Sequence, residues 1–237
     1  MYTFDSKVRY SETDEMGLLS PVSIINYLQD CSTFQSEELG VGVEWLKRKR
    51  RGWFLNSWRI LTDRRPALCE PIRIGTAAYG FKGIYGYRHF FIQDQKGEFL
   101  VRADSIWFLC DTESNRPVKP GEEFTSPYLG MEDPELHMGE TKRKILLPEK
   151  MELVGSQTVQ KHHLDTNHHV NNAQYIAIGM EACGLLAPQE MQAEYRRAAV
   201  LRDGLFIYAG RDAEGFLIVN LANEEKEPYA VLRFSRS

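Results

Sequence analysis

The chain has 237 residues, of which 43% are hydrophobic and 26% charged, and a formal net charge of −4. These values are ordinary for a globular protein and exclude a disordered or collagen-like chain. The net negative charge argues against a general nucleic-acid binder. The opening MYTFDSKVRY lacks the basic and apolar blocks of a signal peptide, and no apolar run approaches the ~20 residues of a membrane-spanning helix. We therefore expect a cytoplasmic protein without membrane insertion.

The first half of the sequence predicts a strand, a turn, a long helix and a run of strands. A strand over 2–10 leads through SETDEMGLL to a helix, for which Ser20 is a plausible N-cap, Pro21 suits the first position and Gly40 a stop. Aromatic and β-branched residues then predict four strands, at 53–61, 72–79, 87–93 and 99–110.

The second half repeats this order after a segment of different composition. Residues 117–147 carry four prolines, Pro117, Pro120, Pro127 and Pro134, and a cluster of acids, which predicts a linker over 121–147 between domains at 1–120 and 148–237. A strand over 157–162 precedes a helix over 171–186. Four further strands are predicted at 193–201, 205–211, 216–221 and 229–234.

The repeated order indicates an internal duplication. Glu12-Thr13-Asp14 in the first half is echoed by Asp165-Thr166-Asn167 in the second, at the same point between strand and helix. Strands in uninterrupted runs favour antiparallel pairing, so we expect an α+β fold in which an antiparallel sheet wraps one long helix per half. No GxSxG, GxxxxGK[ST] or GxGxxG motif is present, which argues against serine-hydrolase, nucleotide-hydrolase and dinucleotide-binding functions.

The densest polar cluster is HHLDTNHHVNNAQY, residues 162–175, at the entry to the second long helix. Asp165, Asn167 and His169 alternate in sequence, and in an extended turn this spacing would place their side chains on one side. An acid, an amide and an imidazole there can orient a water, polarise a carbonyl and move a proton, beside a helix N-terminus that stabilises negative charge. Helix capping by Asn171 or Asn172, metal binding by the histidines and a plain solvated loop are the alternatives, and the histidine spacing fits no metal motif.

The segment LDTNHHVNNAQYI resembles the active-site signature D-x-N-x-H-V-N-N-x-x-Y of the plant and bacterial fatty acyl-ACP thioesterases. The similarity extends over nearly the whole chain, through WRILTDRRP, RADSIWFL and AEYRR in family order. This resemblance implies a tandem (double) hotdog fold and hydrolysis of acyl-ACP to free fatty acid without a cofactor or metal. It also implies an active site in the C-terminal half and an acyl pocket shaped by the N-terminal half.

One departure from the family concerns the catalytic set. Plant members usually carry an acid and a cysteine after EYRR, where this chain has Ala198 and Ala199. We expect Asp165 to supply the carboxylate that orients or activates the water, His169 to polarise or protonate, and Asn167 to hold the thioester carbonyl. The predicted supporting residues are Glu194, Glu181 and Asn171, although a structural ion pair is the alternative for each glutamate.

The substrate suggests two further sites. An apolar slot for the acyl chain is predicted at Ile24, Leu28, Trp53 and Trp58. Acyl carrier protein, bearing acyl-phosphopantetheine, is acidic, so we predict docking on the basic cluster Lys47, Arg48, Lys49, Arg50 and Arg51, with a partnerless solvated loop as the alternative.

Two other functions compete with acyl-ACP hydrolysis. An acyl-CoA thioesterase would use the same hydrolytic centre, and a non-catalytic acyl-binding hotdog protein would use the same pocket. Two fused halves can satisfy internally the pairing that single hotdogs obtain by dimerising, so a monomer and a homodimer both fit.

Overall fold

A computed structural model describes residues 1–131, 134–139 and 143–235. The chain divides into two compact units. The first comprises Met1–Asn56 and Ile60–Thr141, and the second comprises Ser57–Arg59 and Lys142–Ser237. The change between them therefore falls within the segment 121–147, which the sequence predicts as a linker.

The first unit contains three helices and six strands among its described residues. The helices are α1 (Pro21–Glu38), α2 (Val43–Arg48) and α3 (Glu122–Thr125). The strands are β1 (Tyr2–Lys7), β2 (Arg51–Thr62), β3 (Pro71–Lys82), β4 (Tyr85–Gln93), β5 (Phe99–Asp111) and β6 (Arg116–Pro117), where Ser57–Arg59 of β2 are grouped with the second unit.

An antiparallel sheet in the order β1-β3-β4-β5-β2 forms this unit, with α1 packed against β3. Ser20 caps α1 by accepting a hydrogen bond from the Ser23 N–H, and Pro21 occupies the first turn, as the sequence predicts. Helical spacing brings Ile24, Leu28 and other apolar residues of α1 to one fully buried face. The helix is therefore held by core packing.

The second unit repeats the plan with fewer residues. Its helix is α4 (Asn172–Ala182). Its own strands are β7 (Glu152–Thr158), β8 (Glu190–Tyr195), β9 (Gly204–Arg211), β10 (Leu217–Ala222) and β11 (Pro228–Phe234), in the order β8-β11-β10-β9-β7. The helix packs on β10 and β11, where a Cβ added at Gly179 would lie 2.6 Å from Leu232 Cδ1. Glycine permits this close helix–sheet contact.

Several sequence predictions are wrong in detail. The strand predicted over 2–10 ends at Lys7, and the strand predicted over 193–201 is observed as Glu190–Tyr195. The strand predicted over 157–162 ends at Thr158, and Lys161–His163 form a 3-10 turn. The second long helix ends at Ala182 rather than at residue 186. The basic cluster also begins inside α2, a helix that the sequence pattern does not indicate.

The proline-rich segment does not behave as a solvated linker throughout. Leu136 is 1% exposed and packs with Ala77 and Phe91 of the first unit. Ile145 is 5% exposed and packs with Ile218 and Val231 of the second. The segment is therefore anchored at two points by buried side chains, Leu136 on the first unit and Ile145 on the second.

The expected α+β architecture is confirmed, since each unit has one long helix against an antiparallel sheet. Among the helices of the described residues, none combines the length and the apolar character needed to cross a bilayer.

Candidate active site

The candidate residues Asp165, Asn167 and His169 lie on one tight turn, residues 165–169, which we call the C-terminal turn. Its ends are joined by a backbone hydrogen bond of 2.8 Å from Asp165 N–H to His169 C=O. Asp165 Oδ1 accepts hydrogen bonds from the backbone N–H groups of Asn167 (2.8 Å) and His169 (3.2 Å). The turn therefore depends on the aspartate side chain, as Asx turns do.

An equivalent turn, residues 14–18, precedes α1, and we call it the N-terminal turn. Asp14 N–H donates to Leu18 C=O at 2.9 Å, and Asp14 Oδ1 accepts from the N–H groups of Met16 (3.0 Å) and Leu18 (3.2 Å). The fourth residue has a positive φ in both turns, 72° at Gly17 and 61° at His168. The same scaffold is thus built in both halves of the chain.

The structure corrects the register of the internal repeat. Asp14 corresponds to Asp165, whereas the sequence echo matches Glu12 to Asp165. Glu-Thr-Asp and Asp-Thr-Asn are similar in sequence, but their residues make different backbone contacts. Sequence similarity alone therefore gives the wrong register. In the correct register, Asn167 corresponds to Met16 and His169 to Leu18.

The two aspartates also differ in their second carboxylate oxygen. Asp14 Oδ2 pairs with the Arg65 guanidinium. Burial by itself would raise the pKa of Asp14, but the ion pair with Arg65 and the hydrogen bonds from the turn together lower it. Asp165 Oδ2 accepts no hydrogen bond from any residue that the structure describes. Only the C-terminal turn therefore combines an open carboxylate oxygen with an amide and an imidazole.

The turn leads directly into the N-terminus of α4. Asn171 is its N-cap, and its side-chain oxygen accepts a hydrogen bond of 2.9 Å from the Ala173 N–H, which confirms the predicted capping role. Asn171 N–H also donates to His163 C=O at 2.8 Å. The positive end of the helix is thus held beside the turn.

Ala199, one of the two positions that depart from the family pattern, lies against this site. Val170 N–H donates to Ala199 C=O at 2.9 Å, and Ala199 N–H donates to the Tyr175 hydroxyl at 2.9 Å. Tyr175 is 3% exposed, and burial raises its pKa, so the hydroxyl stays protonated. Tyr175 of the signature therefore has a positioning role that the sequence did not indicate, because it ties the loop after β8 to α4.

The predicted supporting carboxylates lie in different surroundings. Glu194 on β8 is 6% exposed, forms an ion pair of 2.9 Å with Arg196, and accepts a 2.9 Å hydrogen bond from the Ile145 N–H. These contacts match the structural ion pair that the sequence leaves open for it. Glu181 lies exposed near the end of α4.

His163 introduces pH dependence just before the turn. Its Nδ1 accepts a 3.1 Å hydrogen bond from the Gln160 N–H, as the Glu12 carboxylate does from Arg9 N–H in the first half. Burial lowers the pKa of His163 from its ordinary value of 6.5, and the charge of His162 lowers it further. Protonation of His163 would break the Nδ1 bond.

We expect acid to destabilise the protein through His163. Below about pH 6.5 His163 binds a proton more readily in the unfolded chain than in the folded one. The contribution of neutral His163 to the free energy of unfolding is therefore complete above that pH and is lost as the pH falls. His163→Gln keeps an acceptor that does not titrate, and urea unfolding from pH 7 to 5 should then show a flatter profile. The exposed His168→Gln variant is the control, and an unchanged profile in His163→Gln would contradict this assignment.

The predicted pocket residues divide between core and partly exposed positions. Ile24 and Leu28 are fully buried on α1, and Trp53 is half-buried, with its ring centroid 6.0 Å from that of Phe81. Trp58, grouped with the second unit, is 1% exposed. An acyl-lining role for these residues stays a prediction.

The basic cluster is largely compensated by acids of its own unit. Four of its five residues form ion pairs: Lys47 with Glu44, Lys49 with Glu123, Arg50 with Glu113 and Arg51 with Asp111. Arg48 makes no ion pair within the described residues. Docking of a carrier there stays a prediction, with less free positive charge than the sequence suggests.

Comparison with known proteins identifies the family. The model of the acyl-ACP thioesterase N-terminal domain matches residues 1–128, more than half of the chain. The chain belongs to the acyl-ACP thioesterase family. A palmitoyl-acyl carrier protein thioesterase of Arabidopsis thaliana is 25% identical over 193 residues, covering 74% of this family member and 46% of the plant protein.

Two further comparisons bear on fold and substrate. The crystal structure of an acyl-ACP thioesterase from Bacteroides thetaiotaomicron superposes with a TM-score of 0.85 at 19% identity, covering 98% of this chain and 96% of that one, and confirms the double hotdog fold. The putative acyl-CoA thioesterase YneP of Bacillus subtilis is 25% identical over 127 residues, 50% of this chain and 86% of YneP. The chain spans about half the length of the plant relatives it matches.

Proposed function

We propose that this family member hydrolyses acyl-ACP thioesters to free fatty acid and carrier protein, with the C-terminal turn as its active site. The observation that carries the proposal is the contrast between two turns built on one scaffold. Met16 and Leu18 have no acid–base chemistry, whereas Asn167 and His169 have an amide and an imidazole at the same positions.

The proposed reaction is direct attack by water on the thioester carbonyl. Asp165 Oδ2 accepts a proton from the attacking water, while Oδ1 keeps its two backbone hydrogen bonds and holds the turn. The carbon–sulfur bond breaks as the tetrahedral intermediate collapses, and His169 delivers a proton to the leaving thiolate. The proton that Asp165 took from water then returns to His169, which restores the enzyme for the next turnover. A thioester is already activated, so no covalent enzyme intermediate is required.

Charge on the carbonyl oxygen develops where the second unit can stabilise it. The Asn167 side-chain amide donates to that oxygen, and the N-terminus of α4 adds its partial positive charge. Asn171 has a supporting role as the cap that fixes the helix end relative to the turn. Because Asp165 is the open carboxylate of the turn, it replaces the acid that plant members carry at the position of Ala198.

The carrier-bound substrate is preferred to acyl-CoA because the family model and the plant relative are both named for acyl carrier protein. The similarity to YneP favours acyl-CoA as the second candidate. Both substrates share the phosphopantetheine arm, so the hydrolytic centre is the same for either.

A free-thiol assay with acyl-ACP and acyl-CoA of the same acyl chain tests the proposed function. We expect release from both, with the higher kcat/KM for acyl-ACP. A higher kcat/KM for acyl-CoA would favour the second candidate. Tight acyl-ligand binding without thiol release from either substrate would contradict hydrolysis and indicate a binding protein.

A further inference from the structure

The loop between β8 and β9 is fastened to both sides of the catalytic segment. Ala199 C=O accepts the Val170 N–H at 2.9 Å, after the C-terminal turn. Before that turn, Val159 N–H donates to Asp203 C=O at 2.9 Å, and Arg202 N–H donates to Val159 C=O at 3.1 Å. Residues 199–203 are therefore held next to the proposed active site by main-chain bonds.

The tip of this loop is also fixed internally. Asp203 N–H donates to Val200 C=O at 3.1 Å, and Asp203 Oδ2 accepts hydrogen bonds from the Val200 N–H (3.0 Å) and the Tyr229 hydroxyl (3.2 Å). Arg202 adopts a φ of 74°, a left-handed conformation that is uncommon for a residue with a side chain. The bonding network holds this conformation, so the tip presents its side chains in a defined arrangement.

The loop tip and its surroundings expose two kinds of side chain: aliphatic ones, which folded proteins usually bury, and cations without an acidic partner. Val200 is 43% and Leu201 38% exposed, although the backbone groups of Val200 and Arg202 on either side of Leu201 are hydrogen-bonded. Arg202 on the tip and Lys161 on the 3-10 turn that follows Val159 are exposed and form no ion pair within the described part of the chain. By contrast, two other arginines of the unit are paired: Arg196 with Glu194 and Arg197 with Glu227.

We propose that Lys161, Val200, Leu201 and Arg202, the loop-tip patch, dock the acidic carrier protein that delivers the acyl group. The inference rests on the proposed function. Two uncompensated cations attract an acidic partner, and two exposed aliphatic side chains supply apolar contact once it arrives. A nucleotide such as that of CoA would use the cations but would leave the aliphatic pair exposed, so the mixed character favours a protein.

The backbone bonds explain why docking here would serve the reaction. They tie the loop to Val159 and Val170, which bracket the C-terminal turn in sequence. A carrier seated on the patch would release its phosphopantetheine arm beside Asp165 and His169. The basic cluster Lys47–Arg51 has less free positive charge, because four of its five cations already pair with carboxylates.

Charge reversal tests the patch. The Lys161→Glu/Arg202→Glu variant is compared with Lys82→Glu/Lys96→Glu, a control with the same change in net charge at two exposed lysines of the first unit. Substrates are acyl-ACP, acyl-CoA and the acyl-N-acetylcysteamine thioester, which has no carrier or phosphate. We expect kcat/KM for acyl-ACP to fall about 10-fold or more in the patch variant, mainly at low salt, with the small thioester unaffected.

Each other outcome overturns the inference in a recognisable way. An acyl-ACP loss no larger than in the control removes the patch from docking. Equal losses on acyl-ACP and acyl-CoA indicate phosphate binding rather than carrier docking, and a loss on the small thioester indicates damage to the active site. If the wild type hydrolyses no substrate, the proposed function fails. Binding of holo-ACP to the wild type and to the patch variant, measured by titration, then tests docking by itself. Weaker binding by the variant supports the patch, and equal binding rejects it.

Discussion

Replacing Asn167 by Met and His169 by Leu together should abolish most turnover of acyl-ACP while leaving the protein folded. The double variant gives the C-terminal turn the residues of the N-terminal turn, which already adopts the same hydrogen-bonded form with them. Loss of the carbonyl-binding amide and the imidazole should lower kcat by roughly 100- to 10,000-fold. We expect the free energy of unfolding to change by about 1 kcal/mol or less, as for a surface turn.

The converse position supplies the matched control. Met16→Leu and Leu18→Met alter the N-terminal turn without adding or removing a polar group, so acyl-ACP turnover should stay close to that of the wild type. If the C-terminal double variant keeps wild-type turnover while circular dichroism shows it folded, neither Asn167 nor His169 takes part in the reaction.

Replacing Asp165 by Asn should separate the structural and chemical roles of this side chain. The Asn side-chain oxygen can still accept the N–H groups of Asn167 and His169, so the turn persists. The charge that accepts a proton from water is lost, and we expect kcat to fall by on the order of 100-fold or more. Asp165→Ala loses the acceptor as well, and should cost about 1–3 kcal/mol of stability in addition.

Asp14→Asn is the control for Asp165→Asn. It keeps the equivalent turn bonds and loses only the ion pair with Arg65. We expect it to lower the unfolding free energy without a comparable loss of turnover, measured on protein shown to be folded. Similar activity losses in the two variants would mean that the aspartates act through turn structure alone.

Much of the fold follows from local sequence signals. Ser20 and Pro21 mark the start of α1, and the strand predicted over 99–110 is observed as Phe99–Asp111. In both places the residues that define an element are adjacent in sequence, so propensity and capping chemistry suffice. The element order predicts the α+β class, whereas the more specific prediction of a double hotdog rests on the family resemblance as well.

Other elements depend on contacts that a linear pattern does not contain. Lys161–His163 follow directly on a predicted strand, yet His163 Nδ1 accepts a hydrogen bond from the Gln160 N–H and closes a 3-10 turn. Prolines near Leu136 and Ile145 predict a linker, whereas burial of these two side chains is set by distant strands. Tertiary packing overrides local composition in both cases.

The sequence proposes the residues of the candidate site, whereas their arrangement differs from the extended turn that it predicts, because residues 165–169 close into a tight turn with His168 at a φ of 61°. The signature contains Asp165, Asn167 and His169, and their alternation predicts a shared side. The different roles of the two Asp165 oxygens follow from the structure, in which Oδ1 accepts two backbone N–H groups. The sequence does not show these contacts. The role of Tyr175 likewise depends on Ala199, which is 24 positions away in sequence.

A crystal structure with an acyl-pantetheine amide, in which the scissile sulfur is replaced by nitrogen, tests the central claim most directly. The account predicts the carbonyl oxygen about 3 Å from the side chains of the C-terminal turn, at the N-terminus of α4, with the carbonyl carbon open to a water held by Asp165. A carbonyl group bound at the N-terminal turn, or away from both turns, would contradict it.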